Sequence, residues 1–374
     1  MSNARRRLVP PPLEPRRRRH FCFVRRERPR SRPLRARPAA LALGALAAAC
    51  CALALSACGS KHDTLGAKSA KRFTVMLDFF PNADHAALYS AIAHGDFRAV
   101  GLDVVPEAPA DPSEPLKLLA AGRVDLAISY EPEVLLARDE GLKVVSIGAL
   151  VQRPLTSLIA LPGHHVASVA QLGGKRVGTA GIPYQAAELR TALEHAGVRP
   201  ASVHEVNVGF NLIPAMLSGK VDATLGGFWN YEAIELRLQH RHPVVIPVDR
   251  AGVPSYDELV LVAREGEARR DGQDLRAFLQ ALTRGEREVR ANPAAAAQTL
   301  LKAAPSLEGK LQLESIKQTL PAAVPSEAGK PYGWQSPAAW AAFGSWMFAH
   351  KLLRHDPNVG LPPFTDEFLP GQGI

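Results

Sequence analysis

Two segments of similar sequence decide the fold: GRVDLAISYEPE at residues 122–133 and GKVDATLGGFWNYE at residues 219–232. In both, a Gly that can end a helix is followed by a basic residue, a Val and an Asp, and then by an apolar run typical of a buried strand. The two segments begin 97 positions apart. The repeat predicts two similar α/β halves, although a Gly-Lys/Arg-Val-Asp turn is also common in unrelated proteins.

The residues around these segments alternate between short apolar runs and helical patterns. In the first half the pattern predicts strands at 73–78, 103–107 and 126–130 and helices at 84–94 and 113–121, with Ser113 as the N-cap of the second helix. The second half repeats this order, with strands at 176–180, 203–208 and 223–228 and helices at 184–195 and 213–217. Such alternation is typical of α/β proteins whose sheets are mostly parallel.

Further apolar runs predict where the chain passes between the halves. Runs at 144–150 and 156–161 precede the second half, and a run at 258–263 follows it. We therefore expect a first lobe built from residues 72–155 and 255–374, which include C-terminal helices, and a second lobe built from residues 156–254.

The last strand of each half runs into aromatic, amide and acidic residues. Open α/β sheets bind ligands at the carboxyl ends of their strands, where helix N termini also present free N–H groups. Two such edges that face each other form a cleft. The candidate ligand contacts at these ends are Tyr130, Glu133, Phe228, Trp229, Asn230 and Glu232.

The stretch LDFFPNADH at 77–85 carries further candidates at the end of the first strand. Asp78 can accept hydrogen bonds from a ligand amine, and a Phe side chain can stack on a flat ring; Phe79 and Phe80 both qualify, and we expect Phe80 to be the contact. Asn82 and His85 can bond the polar edges of a ligand. The alternative is that Asn82 only caps the next helix and that the Phe side chains belong to the core.

Two glycine-containing stretches extend the candidate site. In GTAGIPY at 178–184, Gly181 lets backbone N–H groups approach a ligand at a helix start, with Tyr184 beside it, unless this is a plain turn with Tyr184 on the surface. In GGFWNYE at 226–232, close backbone approach is combined with a large aromatic face and a carboxylate. The ligand-binding interpretation is favoured there because an exposed Trp side chain is uncommon unless it has a functional role.

The net charge of +9 over 374 residues belongs to an N-terminal leader. Residues 1–57 contain 14 Arg and two acids, Glu14 and Glu27, so the remaining residues carry 31 Lys and Arg against 34 Asp and Glu, a net charge of −3. The Arg-rich segment is followed by an uncharged apolar run at 39–57, which indicates a secretory signal. A basic, nucleic-acid-binding body is therefore not expected.

Cys58 follows Leu-Ser-Ala at the end of this run and resembles the acylated Cys of a bacterial lipobox. We expect residues 1–57 to be a lipoprotein signal peptide, Cys58 to carry lipid, and residues 58–71 to form the anchor and a flexible tether. A signal-anchor helix is the alternative, since the run is close to the length that spans a bilayer. The other cysteines, Cys22, Cys50 and Cys51, precede Cys58, so the mature body would have no disulfide or Cys nucleophile.

Motifs of common enzyme classes are missing from the mature chain. It contains no Walker A loop, G-x-G-x-x-G, H-E-x-x-H, G-x-S-x-G or EF-hand pattern. The His pairs at 164–165 and 240/242 lie in polar segments and are expected at the surface rather than in a metal site. We predict a protein without catalytic residues, metal or cofactor.

Six segments carry a resemblance to a known family. They are VMLDFFPNADHAALY (75–89), ADPSEPLKLLAAGRVDLAISYEPEVLLARDEGL (110–142), ALVQRPLTSLI (149–159), GKRVGTAGIPYQ (174–185), EVNVGFNLIPAMLSGKVDATLGGFWNYE (205–232) and GVPSYDELVLVA (252–263). The chain resembles the solute-binding lipoproteins of ABC importers for thiamine precursors, of the formylaminopyrimidine-binding type. The segments cover most of residues 73–264, whereas the C-terminal hundred residues match only in general character.

The resemblance implies a two-lobed, type II periplasmic-binding-protein fold with a mostly parallel sheet in each lobe and a cleft between them. It implies an aminopyrimidine held between aromatic side chains, with one wall formed by Asp78, Asn82, His85, Tyr130 and Glu133. The other wall would contain Gly181, Tyr184, Trp229 and Glu232. It also implies a monomer outside the membrane that delivers its ligand to an ABC permease with its ATPase.

Related proteins suggest alternative functions for this chain. Fungal pyrimidine synthases resemble this chain, but they carry a Cys-rich motif and an active-site His in the helix after the third strand, where this chain reads EPEVLLA at 131–137. Binding proteins for sulfonate or nitrate would need Arg or Lys in the cleft, and the expected walls contain none. Riboflavin or another flat heterocycle stays open as the alternative ligand.

Overall fold

The computed structural model describes residues 70–270, 272–325 and 327–372, which form two five-stranded sheets flanked by helices. The strands are β1 (Lys71–Met76), β2 (Leu102–Glu107), β3 (Leu126–Ser129), β4 (Val144–Val151), β5 (Thr156–Ala160), β6 (Arg176–Thr179), β7 (His204–Asn207), β8 (Ala223–Phe228), β9 (Val244–Pro247) and β10 (Leu259–Arg264). The expected signal peptide and Cys58 lie outside the described residues. β1 begins at Lys71, inside the expected tether, because Lys71 already pairs with Leu102 of β2.

Helices cover both sheets, and short 3-10 turns join several of the elements. The helices are α1 (Ala86–His94), α2 (Asp96–Ala99), α3 (Pro115–Ala120), α4 (Glu131–Asp139), α5 (Pro183–His195), α6 (Leu212–Leu217), α7 (Glu232–Leu238), α8 (Glu265–Arg270), α9 (Gly272–Ala291), α10 (Pro293–Ala303), α11 (Gly309–Thr319) and α12 (Pro337–Ala349). A 3-10 turn at Ala83–His85 leads into α1. None of the described helices is both long and apolar enough to cross a bilayer.

The two sheets have the same plan. The first has the strand order β2-β1-β3-β10-β4, and the second has the order β7-β6-β8-β5-β9. β10 runs antiparallel to both of its neighbours, and so does β5, while the other observed pairings beside β1 and β6 are parallel. The predicted two-lobed α/β architecture with mostly parallel sheets is therefore confirmed.

The repeated Asp explains why the two halves share a sequence signature. In the first sheet, the Asp125 carboxylate accepts the backbone N–H of Thr74 at 2.6 Å, and the Asp125 N–H bonds the Thr74 carbonyl. In the second sheet, the Asp222 carboxylate accepts the N–H of Arg176 at 2.8 Å, and the Asp222 N–H bonds the Arg176 carbonyl. Each Asp thus joins the start of one strand to the strand beside it.

Two chain segments connect the sheets, one between β4 and β5 and one before β10. We call the part built around the first sheet the first lobe and the part around the second sheet the second lobe. The Glu258 carboxylate accepts the backbone N–H groups of Leu155 and Thr156, at 2.6 and 2.8 Å. Since Glu258 lies on the returning segment and Thr156 on the outgoing one, this carboxylate holds the two connections together.

The C-terminal helices complete the first lobe. α9 crosses α1 so closely that a side-chain carbon on Gly285 would lie 2.2 Å from the Ala87 carbonyl oxygen. Only a glycine fits at this crossing. The 3-10 turn directly precedes α1, so the packing of α1 on α9 helps to fix the position of this turn at the edge of the cleft.

Several local predictions were wrong in detail. The helix expected from residue 113 begins at Pro115, because the Ser113 N–H is bonded to the Asp111 carboxylate at 2.8 Å and Pro115 favours the first helical position. The apolar pattern at 336–353 also predicts a last helix, but that helix ends at Ala349, shortly before Lys351 takes a left-handed conformation (φ 59°). Strand β9 and helix α11 were not anticipated from sequence.

Candidate functional site

A pocket lies in the cleft between the two lobes, at the carboxyl ends of β1, β3, β6 and β8. The empty space between its walls is about 390 Å3, including the part open to solvent. Its lining residues come from both lobes: Asp78, Phe79, Asn82, Tyr130, Ala180, Ile182, Tyr184, Gln185, Leu212, Gly226, Phe228, Tyr231 and Glu232.

Asp78 is the centre of the first lobe's wall. It follows β1 and is 1% exposed, with one carboxylate oxygen 2.8 Å from His85 Nε2 and the other accepting the Tyr130 hydroxyl at 2.9 Å. His85 Nδ1 accepts the backbone N–H of Asn82 at 3.2 Å, so the His85 proton sits on Nε2 and is donated to Asp78. Burial, with the nearby Asp78 charge, raises the pKa of Tyr130 well above its ordinary value, which keeps this hydroxyl a donor.

Asn82 both caps the 3-10 turn and lines the pocket. Its side-chain oxygen accepts the N–H of Asp84 at 2.9 Å and so caps the 3-10 turn. This is the capping role that the sequence analysis weighed as the alternative to ligand binding. Asn82 also lines the pocket, so the two interpretations are compatible.

The second lobe's wall is built on the N terminus of α5 and the end of β8. Gln185 Oε1 accepts the N–H of Ala180 at 2.9 Å, which ties the start of α5 to the end of β6. Gly226 takes a φ of +107°, and a side-chain carbon there would lie 2.4 Å from Gln185 Nε2. Gly226 therefore supplies both a backbone conformation and a close approach that other residues would disturb.

Glu232 is the acid of this second wall. It begins α7, and its carboxylate accepts the backbone N–H of Phe228 at 2.7 Å. Burial raises the pKa of Glu232 to about 7, against the lowering effect of the Phe228 hydrogen bond. A bound amine or ring N–H would favour the ionised form of this carboxylate.

Aromatic side chains of the two lobes contact each other around the pocket. The ring centroids of Tyr130 and Tyr184 are 5.3 Å apart, and those of Phe79 and Phe210 are 4.5 Å apart. These distances are those of rings in direct contact. The structure is thus a closed arrangement of the lobes, and a flat ring does not fit between Tyr130 and Tyr184 in it.

The structure brings half of the predicted contact residues together at the pocket and leaves half outside it. Those that line it are Asp78, Asn82, Tyr130, Tyr184, Phe228 and Glu232. Those that do not are Phe80, His85, Glu133, Gly181, Trp229 and Asn230.

The predicted residues outside the lining have other contacts. His85 lies behind Asp78, as described above. Glu133 accepts a short hydrogen bond from the Ser129 hydroxyl, and burial raises its pKa to about 7. Gly181 takes a φ of +79° beside the Asn207 side chain. Phe80 packs on Tyr231, with ring centroids 6.2 Å apart.

Trp229 differs most from its expected role. It is only partly buried, but its indole N–H donates to the Pro154 carbonyl at 2.9 Å, and its ring packs against the core of the first lobe. The side chain therefore lies against the segment that connects β4 to β5. In this structure, the Trp229 side chain contacts the connection between the lobes rather than the pocket.

Sequence reasoning missed several lining residues. Of the two adjacent Phe residues it preferred Phe80, whereas Phe79 lines the pocket. The sequence contains a signal for Gln185 and Gly226. Gln185 directly follows Tyr184 at a predicted helix start, and Gly226 belongs to the Gly-Gly pair. Leu212 and Tyr231 offered little, because their positions depend on how α6 and α7 pack.

The charge of the pocket limits its ligands. The lining contains two carboxyl groups, Asp78 and Glu232, and neither Lys nor Arg. Within the described residues, no group of three or more His, Cys, Asp or Glu is placed to hold a metal ion. The arrangement suits a small neutral or cationic molecule whose N–H groups can donate to carboxylates.

Comparison with known proteins shows the family of this chain. The model of the family described as NMT1/THI5 like matches residues 82–296. The chain belongs to this family. A formylaminopyrimidine-binding protein of Halalkalibacterium halodurans is 38% identical over 294 residues, which cover 78% of this chain and 88% of that protein. A 4-amino-5-hydroxymethyl-2-methylpyrimidine phosphate synthase of Legionella pneumophila is 27% identical, covering 67% of this chain and 79% of the relative.

The fold of the family member described here is also that of a solved binding protein. The alkanesulfonate-binding protein SsuA of Xanthomonas axonopodis pv. citri, bound to MOPS, superposes with a TM-score of 0.61 at 16% identity, covering 76% of this chain and 95% of SsuA. At this identity the likeness shows the fold alone. The 38% identical relative is named as a binding protein, whereas the 27% identical relative is named as a synthase.

Proposed function

We propose that this protein is the extracytoplasmic substrate-binding component of an ABC importer and that it captures a thiamine pyrimidine precursor of the formylaminopyrimidine or hydroxymethylpyrimidine type. The observation that carries the proposal is the pocket itself, in which Asp78 and Glu232 face a small cleft with no cationic side chain in its lining. The 38% identical relative named for formylaminopyrimidine binding supports this choice of ligand.

The binding mechanism follows from the two walls. The open cleft admits the pyrimidine. Its amino group donates to the carboxylate of one lobe, and its ring nitrogen, in the protonated form, donates to the carboxylate of the other. Hydrogen bonds to ionised groups contribute about 1.5–3 kcal/mol each. Because Asp78 belongs to the first lobe and Glu232 to the second, a ligand that bonds both stabilises the closed arrangement over the open one.

The proposal includes the cellular setting. The protein would be exported and held at the outer face of the cytoplasmic membrane by lipid on Cys58. As a monomer it would pass its ligand to a permease and its ATPase, with no nucleic acid as partner and no cofactor or catalytic residue. The leader sequence and its lipobox-like end support the export and the anchor.

A ligand panel tests the proposed substrate. Isothermal titration calorimetry of the purified protein with formylaminopyrimidine, hydroxymethylpyrimidine, thiamine and riboflavin should show the tightest binding for one of the two simple aminopyrimidines. Tighter binding of riboflavin would establish the alternative flat heterocycle. Conversion of an added substrate, followed by mass spectrometry, would instead favour a synthase.

Substitution of Cys58 tests the anchor. Cys58→Ser should move the protein from the membrane fraction to the soluble fraction and abolish labelling with a fatty-acid probe, whereas Cys51→Ser should do neither. Continued lipid labelling of the Cys58→Ser protein would contradict the lipobox.

A further inference from the structure

Asn230 is bonded to side chains from two distant parts of the chain. It lies between β8 and α7 of the second lobe and is fully buried. Its amide nitrogen donates to the Asp84 carboxylate at 2.7 Å and to the Thr319 hydroxyl at 2.6 Å. Since an amide nitrogen has two hydrogens, both donors of Asn230 are used and neither is free for a ligand.

The three residues lie on three different elements. Asp84 belongs to the 3-10 turn of the first lobe, and Thr319 is the last residue of α11 in the C-terminal helices. The Thr319 hydroxyl is also 2.9 Å from Asp84 Oδ1. We call Asp84, Asn230 and Thr319 the interlobe cluster, because it joins the second lobe to the first beside the pocket.

Helix α11 makes a second contact that spans the cleft. Gln312 Nε2 donates to the hydroxyl of Tyr231 at 3.0 Å, and Tyr231 lines the pocket. Leu311 and Ile316 of the same helix belong to an apolar cluster that includes residues of both lobes, Ala83 and Ile234 among them. Separation of the lobes would therefore break polar and apolar contacts of α11 together.

The interlobe cluster is buried and incompletely satisfied. Burial raises the pKa of Asp84 to about 6, opposed by the bonds from Thr319 and Asn230, so the carboxylate is largely ionised at pH 7.5 and its bond to Asn230 is charge-assisted. Asp84 Oδ2 and Asn230 Oδ1 are buried without a hydrogen-bond partner. Each such orphan carries a desolvation cost that is relieved when water enters an opened cleft.

We propose that the interlobe cluster sets how long a ligand stays bound: Asp84, Asn230 and Thr319 hold the lobes closed without contacting the ligand. This inference rests on the proposed binding function. The bonds of Asn230 to Asp84 and Thr319 favour the closed form. The burial of the Asp84 carboxylate and the two orphaned oxygens limit its stability, so the lobes can reopen to release the ligand. Asn230 is thus a positioning residue rather than the ligand contact that its sequence suggested.

Kinetics separates this role from ligand contact. A ligand enters the open cleft, in which the interlobe cluster is broken, so loss of the cluster should populate the open form and raise the association rate rather than lower it. The dissociation rate should rise, because release requires the cluster to break in the wild-type protein. A lost ligand contact would raise only the dissociation rate, and partial misfolding would lower the apparent association rate, so faster association together with faster dissociation is specific to the cluster.

An exchange of side chains provides the sharpest test. Asn230→Asp places two carboxylates together and should raise the dissociation rate of formylaminopyrimidine at least about tenfold in stopped-flow fluorescence. The double variant Asp84→Asn with Asn230→Asp restores one amide and one carboxylate and should recover most of the loss. Thr319→Val, which keeps the shape, should raise the rate about threefold. Asn358→Ala, which removes an amide-to-hydroxyl bond to Ser345 on the surface, is the control and should change nothing.

Small-angle scattering without ligand keeps the inference separate from the proposed function. Asn230→Asp should increase the radius of gyration relative to the wild type, and the double variant should reverse the increase. If the wild type binds neither aminopyrimidine, the proposed function fails and scattering alone decides on the cluster. An unchanged radius in Asn230→Asp, or an unchanged dissociation rate where binding is measurable, would overturn the inference.

Discussion

The two lobes have the same sheet plan but contribute different chemistry to the pocket. The first lobe presents a connected polar group, in which Asp78 is held by His85 and Tyr130. The second lobe presents mainly apolar side chains and backbone, with Gln185 and Glu232 as its polar members. Two lobes with the same sheet plan can therefore have different side chains at their strand ends. We infer that the first lobe determines ligand orientation and the second determines fit and closure.

The largest effect is expected at Asp78. Asp78→Asn removes the charge of the first wall and one acceptor, and the affinity for formylaminopyrimidine should fall about 100-fold by titration calorimetry, since hydrogen bonds to ionised groups are the strongest in the site. Tyr130→Phe, which leaves the charge in place, should lose about tenfold. Equal affinities of Asp78→Asn and wild type would remove the proposed difference between the walls.

A glycine in the second wall tests the role of fit. Gly226→Ala should weaken binding about tenfold, because the added carbon would displace Gln185 from the start of α5. Gly219→Ala is the matched control: its φ is also positive, at +70°, but nothing lies within 4 Å of the added carbon. If both variants lose the same affinity, backbone strain rather than the pocket wall is responsible.

The junction of the lobes should give a pH-dependent stability. Burial raises the pKa of Glu258 to about 7 from an ordinary value of 4.5, so the folded protein holds this proton more tightly than the unfolded chain. The resulting stabilisation is complete below pH 4.5 and is lost as the pH rises through about 7. Between pH 5 and 8, urea unfolding should show a decrease on the order of 1 kcal/mol larger in the wild type than in Glu258→Gln. Parallel profiles for the two proteins would exclude Glu258 as the source.

The repeated Asp should have a small and similar effect in each lobe. Asp125→Asn and Asp222→Asn each weaken a carboxylate bond to the backbone of the neighbouring strand, so each should lower the free energy of unfolding by about 1 kcal/mol. Chemical denaturation measures both values. A large cost in one lobe alone would show that the equivalent turns are not equally important.

The order of strands and helices was accessible from sequence because it depends on local patterns. Apolar runs, the glycines that end helices and the Asp125 and Asp222 turns are recognisable within a few residues. The pocket edge was also predictable, since it follows from where the strands end. Helix α11 was missed because its amphipathic pattern lies in the C-terminal part of the chain, where no motif guided the assignment.

The direction of individual side chains at that edge was not accessible in the same way. Trp229 and Asn230 are adjacent to pocket residues in sequence, yet Trp229 bonds Pro154 and Asn230 bonds Thr319, which is 89 residues away. Local periodicity says nothing about such partners. A polar side chain near a ligand site adopts the direction in which its N–H groups find hydrogen-bond acceptors.

Local sequence was sufficient for the two-lobed α/β architecture and for the strand ends that form the cleft. Backbone hydrogen bonding and apolar periodicity are local, so they leave a readable pattern. Which residues line the pocket and which hold the lobes together became clear only when distant segments were packed together. The interlobe cluster of Asp84, Asn230 and Thr319 exists only in that packed arrangement, because each of its bonds joins residues that are far apart in the chain.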